Sequence, residues 1–161
     1  MSKQRKIALY IIIALIVLTI GYIWLNSSKS KEQSSENSEQ VSSGVQEMAD
    51  AVFGKDTITI TNEGMRKFAH FIEFAALGAE FCALYIVLKK QSFDSFLQML
   101  PFGLYVAVID EGIQILSDRG PEVRDIFIDY SGYLAATLIF FIVFVVRRTV
   151  KTRKNSRPKA E

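Results

Sequence analysis

Four apolar segments, each about long enough to cross a bilayer, constrain this chain more than any other feature. A helix needs about 20 predominantly apolar residues to cross the hydrocarbon core at a rise of about 1.5 Å per residue. Because lipid offers no hydrogen-bond partner to the backbone, segments of this length fold as helices. The sequence therefore predicts an all-α fold, a polytopic transmembrane helical bundle with four spans. The segments run over residues 7–25, 68–88, 96–116 and 124–146.

Charge lies mostly between these segments and at the two ends of the chain. The formal net charge of +2 is too small to suggest a nucleic-acid partner, and no nucleic-acid-binding motif is visible. The single cysteine, Cys82, lies inside an apolar segment, so no intramolecular disulfide can form and we expect it to pack as a small apolar side chain.

The basic residues predict the orientation of the chain. Lys3, Arg5 and Lys6 precede the first segment, and a basic tail over 147–161 follows the fourth. Lys and Arg are enriched on the cytoplasmic side of membrane proteins, so both termini are predicted inside. The first segment is longer than the apolar core of a signal peptide and ends in aromatic residues typical of a membrane interface, which indicates an uncleaved anchor.

Composition divides the chain into four parts. Residues 26–44 consist almost wholly of small polar and charged types, which predicts a flexible linker. In the residues that follow, apolar side chains at helical spacing predict a short amphipathic helix that ends at Gly54. The predicted parts are a cytoplasmic start with an anchor helix (1–25), an extracytoplasmic linker with that short helix (26–64), a three-helix domain (65–146) and a basic cytoplasmic tail (147–161).

Topology places the ionisable residues of three spans at one depth, in the outer leaflet. A carboxylate in lipid costs several kcal/mol unless it is paired, protonated or hydrated, so we expect these side chains to face one another. A small-residue seam, Gly132-x-x-x-Ala136, allows the close helix approach that this requires. The predicted ligand-binding residues are His70, Glu73, Asp110, Glu111, Gln114, Arg119, Arg124, Asp125 and Asp129.

Three interpretations of this cluster stay open: a hydrogen-bonded knot that fixes helix register, a catalytic or metal site, and a site for a ligand or lipid headgroup. Carboxylates suit Mg²⁺, Mn²⁺ or Ca²⁺, and an imidazole shifts the preference toward Mn²⁺ or Zn²⁺. The metal-ligand candidates are His70, Glu73, Asp110 and Asp125, and the catalytic candidates are these four with Glu111.

Basic residues flank the cluster, and one acid lies deeper. Arg66 and Lys67 precede the second span, and we expect them to pair with the acids or to bind an anion. Glu80 lies near mid-membrane, where it is either a protonated side chain bonded to a neighbouring backbone or a proton-relay residue. The hydrolase patterns G-x-S-x-G and H-E-x-x-H do not occur in the sequence.

Two stretches of the sequence resemble the signatures of the VanZ-like family of membrane proteins. One reads RKFAHFIEFAALG over 66–78, and the other combines DEGIQ over 110–114 with RGPEVRD over 119–125 and DYSG over 129–132. The resemblance covers 66–146, and many members carry Asn at the position of Asp129. The resemblance implies a bacterial cell-envelope protein. The founding member of the family is associated with antibiotic resistance, namely low-level resistance to the lipoglycopeptide teicoplanin.

The leading functional hypothesis is therefore a multi-pass protein of the cell membrane. Its outer-leaflet polar pocket would engage a lipid headgroup, a lipid-linked wall precursor or an amphiphilic glycopeptide, and so modulate glycopeptide susceptibility. The first alternative is an intramembrane acid/base or metal-dependent enzyme acting on a lipid or lipid-linked substrate. The second is a small proton-coupled transporter that uses Glu80.

Overall fold

The described residues form helices joined by short connections. The computed structural model describes residues 1–29, 31–54, 57, 59–90, 92–117 and 122–155, and of residues 31–38, 40, 49, 53 and 151–155 it describes the backbone. Its helices are α1 (Lys3–Ser27), α2 (Lys31–Phe53), α3 (Asn62–Val87), α4 (Phe93–Leu116) and α5 (Val123–Asn155).

Four of these helices are long and apolar enough to cross a membrane: α1, α3, α4 and the part of α5 that covers Val123–Val150. This confirms the predicted all-α fold, the number of spans and the multi-pass character of the protein. The two middle helices begin earlier than the apolar segments because polar side chains cap them. The Thr61 hydroxyl accepts from the Gly64 amide at 3.0 Å before α3, and the Ser92 hydroxyl accepts from the Ser95 amide at 3.2 Å before α4. The side on which the termini lie stays a prediction.

The prediction of a flexible linker over 26–44 is wrong, because α2 already begins at Lys31. Glu, Gln and Lys favour helix when a tertiary contact supports it. Here the Gln46 side-chain oxygen accepts a hydrogen bond of 2.8 Å from the Ile60 amide, and the Ser42 hydroxyl bonds the Asn62 side chain, so α2 docks on the start of α3. Gly54 ends the helix as predicted, with a φ of 91° that favours glycine.

Helices α1 and α3 lie antiparallel and are joined at both ends. The Arg5 guanidinium donates to the Val87 carbonyl where α1 begins and α3 ends. At the opposite end, the Asn26 amide donates to the Glu73 carboxyl at 3.1 Å. The Ser117 hydroxyl at the end of α4 donates to the Ser28 carbonyl at 3.3 Å, so α1 and α4 end at the same side of the bundle.

The seam predicted on α5 packs directly against α3. A Cβ added to Gly132 would overlap the Phe71 carbonyl oxygen, so the two backbones touch at this point. About two turns further along α3, a Cβ added to Gly78 would lie 2.7 Å from the Tyr133 carbonyl oxygen and 3.2 Å from the Ala136 Cβ. The structure thus confirms Gly132-x-x-x-Ala136 as a close-packing seam, and this contact brings the starts of α3 and α5 together.

Tyr133 joins α5 to α4 in the core. Its ring lies against Gly103 so closely that a Cβ at that glycine would overlap the ring. Its hydroxyl donates to the Met99 carbonyl at 2.9 Å, which satisfies a buried polar group. Cys82 packs nearby in the apolar core with 2% of its surface exposed, as expected from its position in the sequence.

Candidate functional site

Six polar residues from three helices meet at the end of the bundle where α3 and α5 begin and α4 ends. We call them the polar cluster: His70, Glu73, Asp110, Gln114, Asp125 and Asp129. The structure therefore brings together six of the nine predicted ligand-binding residues. Their burial is unusual for polar side chains, since Asp110 is 0% exposed and Asp129 is 2% exposed.

His70 lies at the centre of the polar cluster. Its Nδ1 atom is 3.9 Å from one carboxylate oxygen each of Glu73, Asp110 and Asp129, so a carboxylate from every one of the three helices faces it. A direct N–H···O hydrogen bond is about 2.7–3.2 Å long, so these separations are those of near neighbours rather than of hydrogen bonds.

Two acids of the polar cluster are fixed by amide side chains. The Gln114 amide, one turn along α4, donates to Asp110 Oδ2 at 2.9 Å. The Asn26 amide of α1 donates to Glu73 Oε1 and is itself held by Lys29, whose ammonium donates to Asn26 Oδ1 at 3.0 Å. These bonds orient the two carboxylates without neutralising them.

Lys67 neutralises the rim of the cluster. Its Nζ atom lies 2.6 Å from Glu63, 3.2 Å from Glu122 and 3.3 Å from Asp125. Glu63 and Glu122 are well exposed, whereas the side chains of Lys67 and Asp125 are 15% and 12% exposed. The pairing with Asp125 is therefore the one least screened by water, and it joins the starts of α3 and α5.

A small pocket opens beside the polar cluster. It has room for about one water molecule and combines both signs of charge. Its lining residues are Arg66, Lys67, His70, Gln114, Asp125, Ile128 and Asp129.

The remaining predicted residues take other positions. Glu111 accepts a hydrogen bond of 2.6 Å from the Glu122 amide, which lies just before α5, so its carboxylate supports the start of that helix. Arg124 is exposed, and no ion pair joins it to another described residue. Arg119 lies outside the described residues.

Three side chains of the polar cluster lie close enough together to share one ligand. His70, Asp110 and Asp129 each offer one ligand atom, and these atoms lie within 4.8 Å of one another. Of the other two candidates, Glu73 accepts from Asn26 and Asp125 faces Lys67. Asp129, which was predicted only as a ligand-binding residue, takes their place in this group.

Sequence reasoning missed the contribution of α1. Besides Asn26, the Thr19 hydroxyl of α1 donates to Glu80 Oε1 at 2.8 Å, so the described partner of Glu80 is a side chain of another helix rather than a backbone group. A lone Thr in an apolar segment and a lone Asn at its end carry no motif. Only the helical phase of the two residues, which places them on one face of α1, could have indicated the contact.

Comparison with protein families agrees with this architecture. A family model described as VanZ/LLP1 matches residues 9–145, and so includes α1 and α2 as well as the three helices that carry the signature motifs. The family's extent is thus wider than the residues 66–146 on which the resemblance rested. No curated protein and no solved structure gives a significant match to this chain. Because the family model covers most of the sequence, the chain belongs to the VanZ-like family of membrane proteins.

Proposed function

We propose that this protein acts in the bacterial cell envelope. Its polar pocket engages a lipid headgroup, a lipid-linked wall precursor or an amphiphilic glycopeptide. By this binding the protein modulates susceptibility to glycopeptides such as teicoplanin. Family membership and the four spans support a membrane protein of the VanZ-like type. In the predicted orientation the pocket faces outward, and lipoglycopeptides act at that face of the bacterial membrane.

The observation that carries the proposal is the combination of charges around the pocket. Arg66 and Lys67 present cationic groups, and Asp125 and Asp129 present carboxylates beside them. Lipid headgroups and lipid-linked precursors carry phosphate, amine and hydroxyl groups close together, which are complementary to such a lining. The pocket is small, so we propose that one such group contacts its charged rim and that the rest of the ligand lies along the apolar helix surfaces.

Antibiotic susceptibility tests the proposal directly. Deleting the gene should lower, and restoring it should raise, the concentration of teicoplanin needed to stop growth. The non-lipidated glycopeptide vancomycin should show a smaller change, because it lacks the acyl chain that would place it in the outer leaflet. Asp129→Ala should behave like the deletion at equal membrane abundance, whereas Asp94→Asn, at the other end of the bundle, should behave like the natural protein. Unchanged susceptibility to all lipoglycopeptides would reject the proposal.

A second candidate is an intramembrane enzyme that acts on a lipid or lipid-linked substrate. The observation that favours it is the imidazole of His70 surrounded by three carboxylates. In this proposal Asp110 or Glu73 would act as general base, and Arg124 would hold an anionic headgroup. Incubating the purified protein with the lipid extract of its host and finding a His70-dependent product would support it. A lipid profile identical to that of the His70→Ala variant would reject it.

A further inference from the structure

We infer that His70, Asp110 and Asp129 form a binding site for one divalent transition-metal cation of the Mn²⁺ or Zn²⁺ class. The site lies beside the pocket, between α3, α4 and α5. The inference depends on the geometry of these three side chains alone, and it holds whichever headgroup or antibiotic the pocket engages.

The first argument is distance. The three ligand atoms lie within 4.8 Å of one another, and His70 Nδ1 is 3.9 Å from each of the two aspartates. Ligands on one such ion, with bonds of about 2.0–2.2 Å, lie roughly 3–3.4 Å apart. The observed separations exceed that spacing by about 0.5–2 Å, so we propose that the aspartate side chains move inward when the ion binds.

The second argument is the state of Asp129. Its side chain is 3% exposed and lines the pocket, yet among the described residues its carboxylate accepts no hydrogen bond, and its one ion-pair contact is to His70 Nδ1 at 3.9 Å. A buried carboxylate without a strong partner costs several kcal/mol in a membrane, which a bound cation offsets. This observation is independent of the number of acids nearby.

The third argument is the arrangement of carboxylates around His70. Glu73, Asp110 and Asp129 all face His70, whereas Lys67 lies against Asp125 and the two exposed glutamates. A divalent cation on His70 Nδ1 and two aspartates would lie among carboxylate oxygens of all three helices, with Glu73 Oε2 3.9 Å from the same Nδ1 atom.

The fourth argument is the support of the ligands. The Gln114 amide holds Asp110 Oδ2 at 2.9 Å, as residues behind a metal ligand commonly do. One imidazole with two carboxylates favours Mn²⁺ or Zn²⁺, because Ca²⁺ requires six to eight oxygen ligands and Mg²⁺ binds nitrogen poorly. Two of the three proposed ligands, His70 and Asp129, also line the adjoining pocket.

Metal binding to the purified full-length chain tests the inference. The protein in detergent is stripped with EDTA and titrated with MnCl₂ or ZnCl₂ by calorimetry. We expect about one equivalent per chain and a rise in thermal stability with either metal. Asp129→Asn should weaken binding at least tenfold, and Gln114→Ala should weaken it less. Asp94→Asn, which removes an exposed carboxylate at the opposite end of the bundle, should bind like the natural protein.

Electron paramagnetic resonance of the Mn²⁺ complex identifies the ligands without depending on affinity. We expect a nitrogen coupling from the imidazole that His70→Ala abolishes. If Asp129→Asn cannot be purified as a folded protein, the nitrogen coupling from His70 and the metal affinity of Gln114→Ala still test the site. The absence of Mn²⁺ and Zn²⁺ binding, binding that Asp129→Asn leaves unchanged, or a Mn²⁺ complex without nitrogen coupling would each overturn the site. These outcomes are separate from antibiotic susceptibility, so either proposal can fail alone.

Discussion

The Thr19 hydroxyl of α1 donates a hydrogen bond of 2.8 Å to the Glu80 carboxyl of α3, inside the apolar stretches of both helices. Lipid does not drive two apolar helices together, so an interhelical hydrogen bond is one of the few forces that select a partner. The bond therefore helps to hold the anchor helix against the rest of the bundle.

Thr19→Val removes this donor at nearly constant shape. We expect a loss of about 0.6 kcal/mol in the free energy of unfolding, and at most ~1.7 kcal/mol, as is usual for such bonds in membranes. Denaturation in mixed SDS micelles measures it. Thr149→Val is the matched control, since that hydroxyl bonds only the Val145 carbonyl of its own helix. Equal losses for the two variants would contradict the assigned role of Thr19.

The contact between Gly132 and Phe71 should be intolerant of any side chain. Gly132→Ala places a methyl group on the Phe71 carbonyl oxygen and forces α5 away from α3, at a cost of about 1–3 kcal/mol or more. Gly112→Ala is the control, because a Cβ there meets nothing within 4 Å and alanine favours helix. The same SDS denaturation compares the two. An α3–α5 interface that accepts Gly132→Ala without loss would show that the close approach is not required.

Removing the Lys67 ammonium should destabilise the protein more than removing either of its exposed partners. Lys67→Met leaves the nearly buried Asp125 carboxylate without its cation, which costs about 1–3 kcal/mol. Glu63→Gln disrupts only an exposed i,i+4 pair and should cost about 0.5 kcal/mol or less.

The double variant Lys67→Met/Asp125→Asn should recover part of the loss, since it removes the uncompensated charge. A double-variant cycle of unfolding free energies measures this coupling. Strict additivity of the two single changes would mean that the 3.3 Å contact between Lys67 and Asp125 contributes no coupling energy.

Tyr133→Phe tests the bond between α5 and α4. It removes the donor to the Met99 carbonyl and keeps the ring against Gly103, so we expect a loss of about 0.5–1.5 kcal/mol. Gly103→Ala, which collides with the ring, should cost more. Unfolding curves that rank the two variants in the reverse order would contradict this account.

The predicted orientation is tested with single-cysteine reporters. The natural Cys82 is buried, and Cys82→Ala gives a background without thiols. Glu47→Cys on α2 should react with a membrane-impermeant maleimide in intact cells, and Lys159→Cys in the tail should react only after the membrane is opened. The opposite pattern would reverse the orientation and place the polar cluster at the inner face.

Hydropathy and helical phase predicted the spans and the cluster for a physical reason. The spacing of His70 and Glu73 on α3 and of Asp125 and Asp129 on α5 fixes which side of each helix carries polar groups, and lipid then forces those sides inward. The same argument identified the Gly132 seam. Such features depend on one helix at a time, so the sequence alone contains them.

What escaped prediction depends on pairs of helices. Thr19 and Asn26 gain their roles only from the partners that α3 presents, and neither residue type has a distinctive spacing. The choice of Asp129 over Asp125 beside His70 follows from the ion pair between Asp125 and Lys67, which is a tertiary competition. Helix α2 forms through its contact with the start of α3, whereas composition alone favoured a linker.

The two side-chain hydrogen bonds between α1 and α3 have one further consequence. Thr19 and Asn26 are seven residues apart, and so are their partners Glu80 and Glu73. The bonded residues therefore have the same spacing on the two antiparallel helices. A shift of α1 by a single residue along α3 would break both bonds at once. The depth of the N-terminal basic residues relative to His70 is thereby set by the protein itself, so the bundle presents a hydrophobic length that a thicker or thinner bilayer must adjust to.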